Sequence, residues 1–301
     1  MIYVIVGPTA SGKTFVANKI ASHFDLPIIN ADAFQIYKGM DIGSAKIENT
    51  DPNYGRYQLL DLITPDEEFS VKQYQDVFRE TLNKYLKEGK DVVVCGGTGL
   101  YIKASLYDYT FDEFEDDTTD LDELSNEELF EILNKLDPQS SNSIHPNNRK
   151  RIIRAISIAR TTNKTKSATI ENQEHKLIYD NVAFYMIDPD RDTLYEKINQ
   201  RVDNMFEKGL VEETESITSF YSLSRTAKQA IGYKEVISYL NGELSLFDCK
   251  ELIKKRTRNY AKRQWTFFNH QLPVKKYKNP EILLKELLVK WVIFLNVLKD
   301  C

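Results

Sequence analysis

Eight residues near the start of the chain, Gly7-Pro8-Thr9-Ala10-Ser11-Gly12-Lys13-Thr14, have the types and spacing to hold a phosphorylated ligand. They fit the pattern G-x-x-x-x-G-K-[ST]. In that pattern successive backbone N–H groups surround phosphate oxygens, the lysine adds positive charge and the final hydroxyl reaches Mg²⁺. Thr14 is thus the candidate metal ligand and Mg²⁺ the implied cation. The loop alone leaves the ligand open, because nucleoside triphosphates such as ATP, nucleoside monophosphate donors and organic diphosphates offer it similar oxygens.

Three further positions could carry chemistry. Asp32, in Asn30-Ala31-Asp32-Ala33-Phe34-Gln35, follows an apolar run and could be a general base, a group behind Mg²⁺ or a helix cap. Gly96-Gly97-Thr98-Gly99 follows another apolar run, so its backbone and the Thr98 hydroxyl face the same side; a tight strand-to-helix turn explains it equally well. Arg201 sits in a charged helical stretch, where a surface ion pair is the plain alternative to a role in chemistry.

The elements that must position these residues are legible. Apolar runs predict strands at Ile2–Val6, Leu26–Asn30, Tyr57–Leu60, Asp91–Cys95 and Val182–Ile187. Phe15, Val16, Ile20 and Phe24 share one helical face from about Lys13 to His23. Ser70 with Gln73, and Ser125 with Glu128, are capping-box pairs that open helices, the first ending near Gly89. Strands alternating with helices after such a loop predict an α/β fold, a P-loop doubly wound parallel sheet, with ligands at the carboxyl ends of its strands. Past Ala104 the strand pattern stops. The chain becomes acidic, then helical, and a polar connector covers Thr161–His175. The expected organisation is a core of residues 1–107 and 176–301 with a helical C-terminal region, and a mostly helical insertion at 108–175.

At 301 residues, 42% hydrophobic and 28% charged, the chain has the composition of a globular protein with room for a core and an insertion. Its start lacks a basic leader, and Lys285, Glu286 and Lys290 interrupt the apolar stretch Leu283–Leu298. The expectation is therefore a cytoplasmic protein with no membrane segment. Three scattered cysteines and four scattered histidines give no metal spacing and no Ser-His-Asp pattern. The net charge of −5 argues against a nucleic-acid partner until its distribution is read. Asp108–Glu128 holds eleven acidic residues and no basic one. Asn147–Arg160 carries +5 through Arg149, Lys150, Arg151, Arg154 and Arg160, and Lys250–Arg263 carries +6. Either cluster could be a solvated helix face. Two of them, with Tyr260, Trp265, Phe267 and Phe268 in or after the second, point to RNA, although the aromatics could equally be core.

Taken in order, Gly7–Thr14, Asp32–Lys46, Gly96–Tyr101, His145-Pro146-Asn147, Arg151 with Arg154-Ala155, Ala230–Glu235 and Ala261–Gln264 form a set that resembles the tRNA dimethylallyltransferases over nearly the whole chain. The resemblance implies transfer of a dimethylallyl group from dimethylallyl diphosphate to N6 of the adenosine 3′-adjacent to the anticodon, with Mg²⁺ and release of diphosphate. It implies that the P-loop grips a leaving diphosphate, that Asp32 is the general base, that Thr98 lies beside the target base and that Arg201 is a further arginine on the diphosphate. It assigns Asp32, Ala33, Phe34, Gln35, Thr98, Lys150, Arg151, Arg154, Lys228, Gln229, Gly232, Tyr233 and Lys234 to tRNA. The insertion would clasp the anticodon stem, and the protein would act as a monomer. Ala33-Phe34, Ser44 and Phe267-Phe268-Asn269 depart from the family pattern; the last lacks a positive charge that the family carries. Three other readings compete: a prenyltransferase acting on free adenine nucleotides, which needs no insertion, a small-molecule kinase with Arg149–Arg154 as its lid, and a non-catalytic RNA-binding P-loop protein.

Overall fold

The computed structural model describes residues 1–111, 119–162 and 175–299. Among these, the strands are β1 Ile2–Val6, β2 Ile28–Asn30, β3 Tyr57–Gln58, β4 Val92–Cys95, β5 Val182–Ile187 and β6 Lys275–Tyr277. They form one all-parallel sheet in the order β3-β2-β4-β1-β5-β6. Along the chain the helices are α1 (Lys13–Phe24), α2 (Val71–Lys87), α3 (Gly99–Leu106), α4 (Asn126–Leu136), α5 (Pro138–Ser143) and α6 (Arg149–Thr162), then α7 (Arg191–Glu207), α8 (Leu210–Phe220), α9 (Tyr233–Leu240), α10 (Leu246–Gln271) and α11 (Pro280–Lys299).

β1 lies between β4 and β5, with Val4 opposite Val94 and Phe184. All residues of β1 and β4 are buried, as a parallel sheet covered on both faces requires. The period of two sends Tyr3, Ile5, Val93, Cys95, Tyr185 and Ile187 to one face, where they pack on Val16 and Ile20 of α1 and on Leu283 and Leu287 of α11. Each such aliphatic contributes about 1.5–3 kcal/mol by leaving water. α2 packs against β2 and β4, and its Tyr74 donates to the Asn30 carbonyl at 2.7 Å while stacking on Tyr101. The chain runs from β1 outward through β2 and β3, and later from β4 across to β5. The direction of winding therefore reverses beside β1, and the P-loop opens from its end.

Both capping boxes are formed: Ser70 with Gln73 ahead of α2, and Ser125 with Glu128 ahead of α4. Strand lengths differ from the sequence reading. β2 begins at Ile28 rather than Leu26, and β3 ends at Gln58 because Leu59 and Asp61 take positive φ, 64° and 52°, which breaks the extended run. β6 is an addition. Lys275-Lys276-Tyr277 carries no apolar alternation and forms by pairing with Tyr185–Ile187. The helix expected near the end of the chain is present as α11, and no helix among the described residues is long and apolar enough to cross a membrane.

The chain divides into two compact units, residues 1–105 with 179–301, and residues 106–178. The second unit packs α4, α5 and α6 around Leu121, Leu129, Leu133, Ile152 and Ile156. Its entering and leaving segments run antiparallel: Ile178 N–H donates to Leu106 O and Asp108 N–H to Lys176 O, at 3.0 and 2.9 Å. Residues 112–118 of the acidic segment and 163–174 of the polar connector lie outside the described residues.

Candidate active site

The turn from β1 into α1 is built for close approach. Gly7 and Gly12 have φ of 150° and 97°, and a Cβ on Gly7 would meet the Ile187 carbonyl, so only glycine fits there. Ser11 N–H donates to Pro8 O at 3.2 Å, and Lys13 Nζ curls back to the same carbonyl at 2.8 Å. The amides of Ala10, Gly12, Lys13 and Thr14 donate to no protein acceptor among the described residues. Unpaired donors at a helix N-terminus are an anion cradle.

Thr9, Lys13 and Thr14 form one wall of a cavity of about 380 Å³, within the range of small-molecule sites. The carboxyl ends of β2 and β4 supply Asp32, Phe34 and Gly97, and α7 supplies Arg201. Lys13, Thr14 and Arg201 also line a second opening, of about 350 Å³, together with Ala10, Gly12, Lys197 and Gln200.

Asp32 occupies the site in a defined pose. Its Oδ1 accepts Phe34 N–H at 3.0 Å, a local turn that fixes the side chain, while Oδ2 is the oxygen that faces Gly97. Burial raises its carboxyl above the ordinary carboxylate range, and the Phe34 amide, Lys13 and Arg201 restrain that rise. Burial likewise lowers Lys13 to about 8, with Arg201 adding to the fall and Cys95 and Asp32 opposing it. Arg201 is lowered by burial and held up by Asp32. Its Nη2 lies 3.5 Å from Ser44 O and it makes no ion pair with a carboxylate among the described residues, so the surface-pair alternative is not what the fold builds. The Cys95 thiol is pushed up to about 12 by burial, and so stays protonated and inert.

Thr98 stands one layer behind this cavity instead of lining it. Its Oγ1 accepts Ala33 N–H at 3.0 Å and lies near the Tyr260 hydroxyl. Tyr260 does line the cavity, with Ile253, Thr257, Arg263 and Gln264 of the same helix. Those positions recur every three or four residues, so one face of α10 closes the site. Gln264 is the central contact: Oε1 accepts Thr9 N–H at 2.8 Å and Nε2 donates to Gly97 O at 2.9 Å.

The opposite wall is organised by a carboxylate that sequence reading did not single out. Glu213 of α8 accepts Asp41, Ile42 and Gly43 N–H at 3.1, 2.8 and 3.2 Å and the Tyr233 hydroxyl at 2.6 Å. A Cβ on Gly43 would strike the Tyr233 ring, so the loop and the start of α9 are in direct contact. Gln35 Nε2 donates to Ser44 O and Ala45 O, both at 3.2 Å. Gln35, Gln229, Tyr233 and Lys234 therefore share this wall with Asp32. Lys228 lies outside the lining, and Gly232, with φ of 103°, caps α9 through Glu235. Ala33 contributes its amide to Thr98, and Phe34 packs beside the cluster of Ile36, Tyr37 and Met40. Lys150, Arg151 and Arg154 belong to the second unit, where all three are exposed on α6.

Part of the second basic run is spent within the fold, while Lys255, Lys262 and Arg263 stay exposed. Arg256 pairs with the fully buried Glu235, Lys254 with Asp203 and Glu251, and Arg258 donates to Asn199. Phe268 is core, Phe267 packs on Gly99 and Trp265 Nε1 donates to Asp188. Of the aromatics in and after this run, Phe268 is core and Tyr260 lines the cavity, while Trp265 stays 41% exposed.

A family described as IPP transferase matches residues 35–271. The chain belongs to the IPP transferase family. Among its relatives is a tRNA dimethylallyltransferase of Anoxybacillus flavithermus, 41% identical over 91% of this chain and 88% of the relative. Another, of Acetivibrio thermocellus, is 43% identical over 89% of this chain and 88% of the relative. Solved structures agree. A tRNA isopentenylpyrophosphate transferase from Staphylococcus epidermidis superposes with a TM-score of 0.69 at 36% identity, over 96% of this chain and 97% of that one. A eukaryotic dimethylallyltransferase acting on tRNA gives 0.79 at 26% identity, over 91% of this chain and 73% of that one. The α/β fold, a six-stranded parallel sheet with helices, is thus that of IPP transferases.

Proposed function

We propose that this IPP transferase moves a dimethylallyl group from dimethylallyl diphosphate to N6 of the adenosine 3′-adjacent to the anticodon of tRNA. One observation carries the mechanism: Asp32 and the phosphate cradle of Lys13, Thr14 and Arg201 open into the same cavity. An exocyclic adenine amine is a poor nucleophile, because its lone pair is delocalised into the ring. It attacks only if its proton is taken as the new bond forms. Asp32 Oδ2 takes that proton as N6 bonds to the allylic carbon; the C–O bond breaks and its electron pair leaves with diphosphate. The amides of Ala10, Gly12, Lys13 and Thr14, with the two cations, meet the charge growing on the leaving group.

The residues present suit Mg²⁺. Thr14 lines the cavity, and its hydroxyl would be an oxygen ligand for that hard cation beside the donor's diphosphate. When bound, Mg²⁺ neutralises the departing diphosphate. Thr98 positions the Asp32–Ala33 turn through its bond to Ala33 N–H, beside Tyr260 of α10. Phe34, Gln35, Gln229, Tyr233 and Lys234 hold the extruded base and its flanking nucleotides, Lys228 and Gly232 frame them, and Lys150, Arg151 and Arg154 bind phosphates of the anticodon stem-loop. Extrusion costs least in a loop, which suits the target. The protein works as a monomer in the cytoplasm, beside its tRNA.

The test supplies purified protein and Mg²⁺ with unmodified tRNA and either dimethylallyl diphosphate or ATP, and weighs the digest by mass spectrometry. A five-carbon gain on that adenosine, with the diphosphate donor only, is the expected result. No gain, with ATP consumed when small metabolites are added, would transfer the site to the kinase reading.

A further inference from the structure

The loop from Tyr37 to Lys46, just past Gln35, is tied to itself. The buried Lys46 places its Nζ on Tyr37 O at 2.7 Å and on the carboxylates of Asp41 and Asp61 at 2.5 and 2.6 Å. Its own amide donates to Asp41 O at 2.9 Å, Ala45 N–H to Ile42 O at 3.0 Å and Ser44 Oγ to Met40 O at 2.6 Å. Tyr37 and Met40 belong to one apolar cluster with Ile217, Leu223 and Tyr233. The internal bonds give the loop its shape, and the cluster gives it a seat.

Glu213 does something else. Its two oxygens accept four hydrogen bonds, Asp41 and Ile42 N–H on Oε2, Gly43 N–H and the Tyr233 hydroxyl on Oε1. Only an ionised carboxylate offers that many acceptor sites on two atoms. The segments it joins meet closely: a Cβ on Gly43 would strike the Tyr233 ring, and one on Gly232 would come within 3.9 Å of Gly43 Cα. An apolar contact between glycines and a ring can slide, whereas a carboxylate clasping three consecutive amides and a hydroxyl fixes the register. The next residue carries the consequence, because Ser44 O receives Gln35 Nε2 at 3.2 Å and Arg201 Nη2 at 3.5 Å. One side chain thus sets Tyr233 against Ser44 and, through Ser44, against Gln35, all three of which line the cavity that holds Asp32.

We propose that Glu213, which is not itself part of the cavity lining, is a positioning residue for the acceptor adenosine: it holds the Gln35–Ser44 side and the Tyr233 side of the cavity at the separation that presents the adenine amine to Asp32. This rests on the reading above that Gln35 and Tyr233 hold the extruded base. A reacting group held about 1 Å out of line loses on the order of 100-fold in rate while most of its binding contacts survive. The phosphate loop makes no hydrogen bond to Glu213 among the described residues, so the donor end of the cavity stays as it was.

The experiment measures single-turnover prenyl transfer to tRNA at saturating enzyme, calorimetric binding of inorganic diphosphate with Mg²⁺, and melting temperature, for the full-length wild type, Glu213→Ala and Glu213→Gln. A partly unfolded preparation in excess still reacts with the wild-type rate constant, whereas a misplaced base does not. Glu213→Ala should lower that constant by about 30-fold or more, with diphosphate affinity within about 3-fold of wild type. Glu213→Gln keeps an oxygen for two of the amides but turns an N–H toward the third, and should stand about 3- to 10-fold below wild type. It decides the matter if the alanine variant does not fold. Wild-type rate constants in the variants that fold, with only the melting temperature lowered, overturn the proposal, and so does a parallel fall in diphosphate affinity. A wild type that transfers nothing removes the reading of the site and this proposal with it; transfer by the wild type and equally by both variants removes the role of Glu213 alone.

Discussion

Two helices of this protein carry basic runs of nearly equal strength, and each spends part of its charge within the fold while leaving part exposed, but against different neighbours. On α10 the charges of Lys254, Arg256 and Arg258 are consumed by Asp203, Glu235 and Asn199, and the face between them, Ile253 to Gln264, closes the reacting cavity. On α6, Arg149 caps the carbonyls of Leu121, Asp122 and Leu124 and Arg160 pairs with Asp120, while Lys150 and Arg151 are exposed. Composition scored the two alike. Their difference lies in what each helix packs against, which a charge count does not contain.

If α10 and its surroundings serve chemistry while α6 serves binding, substitutions should separate rate from affinity. The largest effect belongs to Asp32→Ala, expected to lower the rate of transfer by about 100-fold or more, as loss of a general base does, with tRNA binding preserved. Single-turnover rates beside filter binding would show it, and an equal fall in both would merge the two regions again. Next, Arg256→Ala should cost about 2 kcal/mol in denaturant unfolding. It leaves the buried Glu235 with only the Gly232 amide and the longer Lys234 contact at 3.8 Å, and these remaining partners, with the part-exposed guanidinium, keep the loss below that of a fully buried pair. A change near zero would mean that this charge was available to RNA after all.

On the other helix, Lys150→Glu with Arg151→Glu should weaken tRNA binding about 10-fold and reduce the slope of log affinity against log salt by about 2, with melting temperature unchanged. An unaltered slope would make α6 a solvated face. A pH experiment sharpens the cavity side. Asp32 sits above the ordinary carboxylate range and is active when deprotonated, so kcat/KM should fall as pH drops through its raised pKa. Arg201→Gln removes a charge that lowers that pKa, so the acid limb should move to higher pH; a limb that stays or moves down would remove Asp32 as its source. The smallest change is expected for Lys262→Ala, on the exposed side of α10, with less than about 3-fold effect on binding.

Much of this architecture could be read from the chain because its local signals agree with its tertiary ones. The P-loop glycines, the capping pairs at Ser70 and Ser125 and the apolar runs of β1, β4 and β5 each specify a local conformation that packing then uses. β6 was not legible, because Lys275 and Lys276 stay exposed and only the partner strand makes them extended. In the site, Asp32, Lys13 and Arg201 follow from motif and resemblance, whereas Gln264 and Glu213 do not. Their importance lies in which backbone amides they meet, Thr9 in one case and Asp41 to Gly43 in the other. The spacing of Thr257, Tyr260 and Gln264 was the available signal, but helical stripes acquire meaning only when the facing element is known.

The neighbours of β1 set an order on how this molecule comes into being. Ile2–Val6 is made some 180 residues before its partner on one side, Val182–Ile187, with the whole of unit 106–178 between them. A parallel pair this distant in sequence closes slowly and late. Arg201, Tyr260 and Gln264 arrive later still. A nascent chain thus carries the phosphate loop without the helix that closes the cavity until α10 has emerged, and the donor site takes its shape only then.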